Sequence, residues 1–382
     1  MTDPTITLLK DLVAIDSVNP SLVPGGAGES AIAERIAAEL RASDLSDVQI
    51  SPAAPGRPNV FGVIESGRSG PSLMLCGHSD TVGVEGMAAP FDPVVRDGKL
   101  FGRGAQDMKG GVAAILGAAR RLAASPAGLS GRVIVAIVAD EEYASLGADA
   151  AVQAWKADAA IVAEPTDLAI GIGHKGFEWV EVETQGIAAH GSRPDDGVDA
   201  IVMMGRVLGE LDALERSFIA GRAHPLLGRP SLHASLIRGG RELSTYPDRC
   251  TLSVERRTVV GEAAGSLSNE VSAILARLRA ADPRFRASAR LTFSRPPYLT
   301  PEGHPLPQLL RESLGRPTTV GAMSFWTDAA ILGEAGMASV VFGPGGAGLH
   351  GLEEYVRLDE VLACREALVA VARRFCAPDR TD

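Results

Sequence analysis

The chain has 382 residues, 46% hydrophobic and 22% charged, with 37 Lys+Arg against 47 Asp+Glu and a net charge of −10. That length favours two domains and that apolar content supplies a full core, which excludes a disordered chain, a collagen and a disulfide-stapled scaffold. An acidic chain without a basic run also argues against nucleic acid and anionic membrane as partners.

The first predicted element is a helix. Asp3 reads as its N-cap and Pro4 as its first residue, and Leu8, Leu9, Leu12 and Val13 follow at helical spacing. A second helix is expected at Ser30–Ala42. Apolar runs come next at 59–64, 72–76 and 132–139; the last two are short, β-rich and bounded by Gly or Ser, which predicts buried strands. Between them residues 110–124 predict a helix, stopped at Ser125-Pro126. Strands alternating with helices imply a mainly parallel sheet covered on both faces.

The pattern then changes. Residues 177–184 set Glu178, Glu181 and Glu183 against Trp179, Val180 and Val182, as in a half-exposed antiparallel strand. A helix at 197–216, strands at 231–237 and 250–260, a helix at 268–280 and a strand at 287–293 complete a β-α-β-β-α-β order, the split βαβ arrangement. A strand at 339–342 and a helix at 360–376 return to the first sheet. The expected fold is therefore α/β: a mainly parallel-sheet domain of residues 1–176 and 295–382, carrying an inserted α+β domain of residues 177–294.

The longest apolar strings, such as residues 133–139, are far shorter than a membrane span. The N-terminus has neither the basic nor the apolar region of a secretory signal. Cys76, Cys250, Cys364 and Cys376 are scattered without a CxxC, which suits reduced cytoplasmic thiols and argues against a thiolate metal cluster.

Six polar clusters fall at or after predicted strand ends, where open parallel sheets bind ligands. In Gly77-His78-Ser79-Asp80, His78 can offer an imidazole nitrogen to a metal while Asp80 fixes its tautomer; a plain surface turn is the alternative. Glycines crowd Asp107 in the stretch 102–111, so its carboxylate either meets a ligand or caps the helix that follows. This stretch lacks the spacing of a phosphate loop. Asp140-Glu141-Glu142 are three adjacent acids ending an apolar strand. They need positive charge nearby, either a metal, with one Glu as ligand and its neighbour as general base, or a helix dipole. Glu164, in Glu164-Pro165-Thr166, and His190, in the inserted domain, each read alone as solvated loop residues. The run 343–350 places His350 near another strand end, with glycines spaced wrongly for a nucleotide. Together, two His and at least three carboxylates match the mixed N/O set that holds Zn²⁺ or a similar divalent ion, and paired ions sharing a carboxylate polarise a carbonyl and activate water.

In their order and identity these motifs resemble the M20 family of metallohydrolases, the group of acetylornithine deacetylase, succinyl-diaminopimelate desuccinylase, aminoacylase and glutamate carboxypeptidase. The likeness runs over nearly the whole chain. It implies that His78 and Glu164 hold one divalent cation and Glu142 and His350 a second, with Asp107 bridging and joined to Met108 by a cis peptide. It implies Asp80 as the partner of His78, and Glu141 as general base and then proton donor to the leaving amine. The inserted domain becomes a lid that mediates homodimerisation, and His190 the lid histidine that stabilises the oxyanion in a neighbouring subunit. Arg257 resembles a lid arginine for a substrate carboxylate, with a solvated strand residue as the alternative. Lys175, Thr327 and Gly345 are the other expected substrate-binding residues. The sequence departs from the pattern at Leu243-Ser244-Thr245-Tyr246-Pro247, where some members carry an asparagine before the proline.

The expected function is metal-dependent hydrolysis of the amide bond of an N-acyl amino acid or dipeptide-like small molecule, by a cytoplasmic enzyme using two Zn²⁺, Co²⁺ or Mn²⁺ ions. His174-Lys175-Gly176 looks most like acetylornithine deacetylases. Desuccinylase, aminoacylase and carboxypeptidase or dipeptidase activities stand as alternatives, as does a non-catalytic metal or small-molecule binding protein on the same fold. A doubly wound nucleotide-binding enzyme is disfavoured, because no GxGxxG follows the first strand.

Overall fold

Asp3 accepts a hydrogen bond from the Thr5 amide at 2.8 Å and Pro4 opens the helix Pro4–Val13, which buries Leu8, Leu9, Leu12 and Val13. This is the start expected from the sequence. The computed structural model describes residues 3–377. The chain divides into two units. One runs to Gly173 and adds Thr300–Met323 and the residues from Thr327; the other is His174–Leu299 with Ser324–Trp326.

The centre of the first unit is a parallel array. Strand Ser72–His78 lies between Arg132–Val138 and Ala159–Val162, with Leu75 opposite both Val135 and Ile161, and Ala338–Val341 continues the array beyond Ala159–Val162. These strands are apolar nearly throughout because both faces are covered. Leu73, Leu75, Val133, Val135 and Ile137 share a core with the helices Pro4–Val13, Ser30–Ala42, Gly110–Ala123 and Leu358–Phe375. Helices Leu146–Ala154 and Ala329–Glu334 also pack on the sheet. Met74, Ile134 and Ala136 point away from the first core by the two-residue alternation of a strand.

Antiparallel strands flank this centre. Arg57–Glu65 pairs with Arg132–Val138, and the hairpin partner Ser46–Ala54 pairs with Arg57–Glu65. Ser46–Ala54 carries no apolar run, being a mostly exposed or half-exposed edge, and its sequence did not announce it. A second small sheet joins Val94–Arg96, Lys99–Phe101, Tyr355–Arg357 and Gly346–Ala347. Its pairs Phe101 with Tyr355 and Leu100 with Val356 tie the loop after residue 101 to the loop that carries His350.

The second unit has the β-α-β-β-α-β order. Its strands, in spatial order Ser231–Gly239, Arg249–Thr258, Gly176–Gln185 and Ala287–Arg295, are all antiparallel. Helices Ala200–Ala220 and Ser266–Ala281 cover one face through Met204, Val207, Val271 and Leu275, packed on Val180, Val182, Leu252 and Val254. One sequence expectation is corrected here. Glu178 does not face outward with Glu181 and Glu183. It shares the inner face with Val180 and Val182 and is 4% exposed, because its carboxylate accepts the amides of Gly265 and Leu267 at the start of helix Ser266–Ala281. Trp179 takes the open face and packs its ring at a tilt against Phe177 and Phe293.

Among the described residues no helix is long and apolar enough to cross a membrane. All four cysteines are buried and unpaired.

Candidate metal centre

Three parallel strands deliver their C-terminal ends to one place. His78 is the last residue of Ser72–His78, the turn 139–147 follows Arg132–Val138, and Glu164 follows Ala159–Val162. The loop after Ala338–Val341 adds His350, and Asp107 comes from the tight turn that precedes helix Gly110–Ala123.

The side chains converge. His78 Nε2 lies 3.2 Å from Asp107 Oδ1, 3.8 Å from Glu164 Oε1 and 4.0 Å from Glu141 Oε2. The other carboxylate oxygen of Asp107, Oδ2, lies 3.4 Å from His350 Nε2, which is 3.2 Å from Glu142 Oε2. One carboxylate thus faces two histidines on opposite sides. Donor atoms of His78, Glu141 and Glu164 lie within 4.8 Å of one another, as do those of His78, Asp107 and Glu142. The helix-cap alternative for Asp107 is overturned, since neither the turn nor the helix after it has a side-chain cap, and the Asp107–Met108 peptide is cis. The dipole alternative for the 140–142 acids fails as well, because the next helix starts only at Leu146.

Behind the cluster sits Asp80, fully buried. Its main-chain oxygen is 3.1 Å and its Oδ1 3.4 Å from His78 Nδ1, so both acceptors lie on that nitrogen and leave Nε2 to face Asp107 and Glu164. The Asp80 carboxylate also accepts the amides of Glu141 and Glu142. Two anchors could not be read from the sequence. Glu354, 1% exposed, accepts from Arg103 Nη1 and from the amides of Gly104, Gln106 and Asp107, fastening the Asp107 turn. Asn19 Nδ2 donates to both Asp80 and Asp140.

The electrostatics are those of a site short of positive charge. Burial, then the neighbouring Glu164 charge, pushes Glu141 well above the carboxylate range. Burial, opposed by His78 and reinforced by Asp107 and Asp328, does the same to Glu164. Burial and Asp107 raise Glu142 to about 7. Hydrogen bonds that the His350 ring donates to Asp107 and Glu142 raise its pKa to about 10. Burial disfavours a charged His78, but Glu164, Asp107 and Asp80 outweigh it and raise its pKa well above normal. The buried Oε1 atoms of Glu142 and Glu164 have no hydrogen-bond partner among the described residues. Crowded carboxylates, two imidazole nitrogens and unused buried oxygens form the mixed N/O donor set that suits divalent cations, so these residues fit a pair of metal ions.

The other expected site residues lie elsewhere. His190 is exposed in the second unit, with Nδ1 2.8 Å from Ser192 Oγ. Arg257, also in that unit, pairs with Glu255 over the Phe177 ring, and Lys175 Nζ donates to the Arg229 carbonyl. In the first unit the buried Thr327 hydroxyl accepts from the Ala329 amide, and the Gly345 amide donates to Glu360. Asp328, beside Thr327, is buried, and its charge contributes to raising Glu141 and Glu164.

Residues 74–374 match the peptidase family M20/M25/M40. The chain is 32% identical over 320 residues to an acetylornithine deacetylase of Myxococcus xanthus, covering 81% of this chain and 82% of that one. It is 29% identical over 379 residues to an acetylornithine deacetylase of Vibrio vulnificus, covering 97% and 98%. Its fold is similar to that of the M20 family metallo-carboxypeptidase Sso-CP2 of Sulfolobus solfataricus, with a TM-score of 0.79 at 16% identity over 98% of this chain and 99% of that one.

Proposed function

This chain belongs to peptidase family M20/M25/M40, and from that premise we propose that it removes the acyl group from N-acyl amino acids of the N-acetylornithine type, through the cluster around Asp107. It is a metal-dependent hydrolase of amide bonds in small substrates. The choice of acyl amino acid is supported by the names of the relatives at 32% and 29% identity. The observation that carries the reading is the double-faced carboxylate: Asp107 Oδ1 toward His78 and Oδ2 toward His350.

In this reading His78 and Glu164 would hold one ion and Glu142 and His350 the other, with Asp107 facing both. Two divalent ions, Zn²⁺ first among Zn²⁺, Co²⁺ and Mn²⁺, would supply Lewis acidity there when bound. The chain's own residues do the rest. Asp80 keeps His78 in the tautomer whose Nε2 is a donor to metal. Glu141, whose Oε2 lies 4.0 Å from His78 Nε2, takes the proton from the water and passes it to the leaving nitrogen. The second unit acts as a lid and as the contact of a homodimer. From it His190 donates to the oxyanion across subunits, and Arg257 and Lys175 meet the substrate carboxylate. Thr327 and Gly345 line the substrate pocket. Four unpaired buried thiols support a cytoplasmic setting.

The test is amine release from N-acetylornithine, N-succinyl-diaminopimelate, acyl-glutamates and dipeptides, with added Zn²⁺ or Co²⁺ and again after chelation. Chelator-sensitive release, fastest from N-acetylornithine, is expected; preference for another member replaces the substrate assignment. Glu141→Gln should keep its metal and lose turnover by at least about 100-fold. Unchanged turnover would remove Glu141 as the base.

A further inference from the structure

The turn 139–147 carries Glu141 and Glu142, yet its own first acid points the other way. Asp140 is fully buried and has a left-handed backbone, with φ of 69°. Its carboxylate accepts from Asn19 Nδ2 at 3.0 Å, Arg57 Nη2 at 2.8 Å and the Leu146 amide at 3.3 Å. Its carbonyl accepts the amides of Ala144 and Ser145, so the chain doubles back on itself at this residue.

Two side chains from distant segments hold this arrangement. Arg57 forks onto Glu29 through Nε and Nη2, both at 2.6 Å, reaches Ser21 through Nη1, and gives Nη2 to Asp140 as well. Glu29 is fully buried and Arg57 is 6% exposed, so the fork is fixed in place. Asn19 Nδ2 joins Asp140 to Asp80, at 3.0 and 2.8 Å. Asp80 in turn meets His78 and the amides of Glu141 and Glu142. A continuous buried chain therefore runs Glu29–Arg57–Asp140–Asn19–Asp80–His78.

We infer that Asn19 and Arg57 are positioning residues of the hydrolytic site, which clamp Asp140 and Asp80 together so that Glu141 and Glu142 are presented to the cluster from one rigid turn. Neither residue touches the cluster. Two carboxylates side by side in a buried site repel one another unless a donor lies between them, and Asn19 is that donor. Burial opposes the Arg57 charge, but Glu29 and Asp140 outweigh it and raise its pKa, so Arg57 stays cationic. A left-handed turn at a non-glycine residue persists only where its surroundings over-determine it, and the three donors on Asp140 do so. Outer partners of this kind typically alter metal affinity or activity by about 10–100-fold.

This inference rests on Glu141 as base and Glu142 as ligand, and the experiment separates the two. Asn19→Ala is the first variant, because Asp80 and Asp140 each keep other donors and the fold is retained. Three quantities are measured below the melting temperature: kcat and KM on the substrate identified above, Zn²⁺ affinity by competition with a chromophoric chelator, and Tm. The expected result is a kcat lowered about 10–100-fold with KM within about 3-fold, and Zn²⁺ affinity weakened about 10-fold or more. Arg57→Lys keeps the charge but cannot serve Glu29 and Asp140 together, so it should fall in the same direction by less. If Asn19→Ala leaves both kcat and Zn²⁺ affinity within about 2-fold of the parent, the pair is structural only and the inference is overturned, whatever happens to Tm. Glu141→Gln run alongside tests the base itself. Full turnover there defeats the base reading and the catalytic half of this inference, while the affinity readout of Asn19→Ala still decides the metal half.

Discussion

Glu354 shows how a residue with no motif of its own can govern one that has. It lies 251 residues from Arg103 in sequence, and it gathers the guanidinium of Arg103 and three amides of the Asp107 turn onto one buried carboxylate. Removing one partner of a buried ion pair costs about 3–5 kcal/mol, because the other charge is left unpaired. Glu354→Ala should therefore lower Tm strongly, and the milder Glu354→Gln should fold with a Zn²⁺ affinity weakened about 10–100-fold through the loosened Asp107. Thermal scanning and chelator competition check the two. Unaltered affinity in a folded Glu354→Gln would show that the turn holds Asp107 without it. His78, Asp107, Glu141, Glu142, Glu164 and His350 were legible only together, from positions at strand ends or in glycine-rich turns and from an order that resembles the M20 family; Glu164 alone reads as a solvated loop acid. Asn19, Arg57 and Glu354 were not, because an Asn, Arg or Glu in a polar stretch looks solvated until the chain closes over it.

The elements around Glu164 depend on close approach of backbones. A Cβ on Gly111, in helix Gly110–Ala123, would collide with the Ala163 carbonyl, and one on Gly343 would collide with the carbonyls of both Ala163 and Glu164. The end of strand Ala159–Val162 is thus held between two glycines, and a side chain at either would press on the carbonyls at or next to Glu164. Gly111→Ala and Gly343→Ala should each cost about 1–3 kcal/mol by overpacking and weaken the metal site on the Glu164 side. The loss is read as a lower Tm together with poorer Zn²⁺ retention on dialysis. A full complement of tightly held metal in Gly343→Ala would show that the strand end can yield without moving its carboxylate. Most of the main strands and helices could be placed from apolar runs of five or more residues or from helical spacing, although helix Leu146–Ala154 was not. The strands Val94–Arg96, Lys99–Phe101, Gly346–Ala347 and Tyr355–Arg357 have two or three residues each. They are too short to show a period, although they bring the loops of Asp107 and His350 together.

The molecule as a whole carries a net charge of −10, and two groups whose proton affinity rises on folding, Glu142 and His350, lie in the cluster around Asp107. Glu142, at about 7, binds protons more tightly in the folded chain than a free Glu at 4.5. His350, at about 10, does so relative to a free His at 6.5. Folding of the metal-free chain therefore takes up protons, so its stability is greatest on the acidic side of this window and falls as pH rises from about 4.5 toward about 10. Cations compete with those same protons, so metal affinity rises over the same interval and loading releases protons. Chelated protein should lose Tm between about pH 6 and pH 9, and protein in excess Zn²⁺ should not. Calorimetric titrations in buffers of different ionisation enthalpy should report proton release. A chelated protein whose Tm rises over that interval would contradict the protonated state of the empty cluster.

The linear order of residues settles whatever is local. Asp3 and Pro4 start the first helix, apolar runs become strands buried on both faces, and acids or histidines placed just after those runs are carried to the C-terminal edge of a parallel sheet. Side-chain direction is a different matter, because it depends on strand register and on partners far along the chain. Glu178 and Glu181 belong to the same acidic stretch, yet the two-residue alternation turns Glu178 inward to cap a helix. Asp140, Glu141 and Glu142 are adjacent acids, yet one left-handed residue sends Asp140 toward Arg57 and Asn19 and the other two toward the histidines. A burial cost that an isolated carboxylate could not bear is met only when distant donors meet it in three dimensions, which is why the clustered acids and histidines could be named in advance and the buried donors behind them could not.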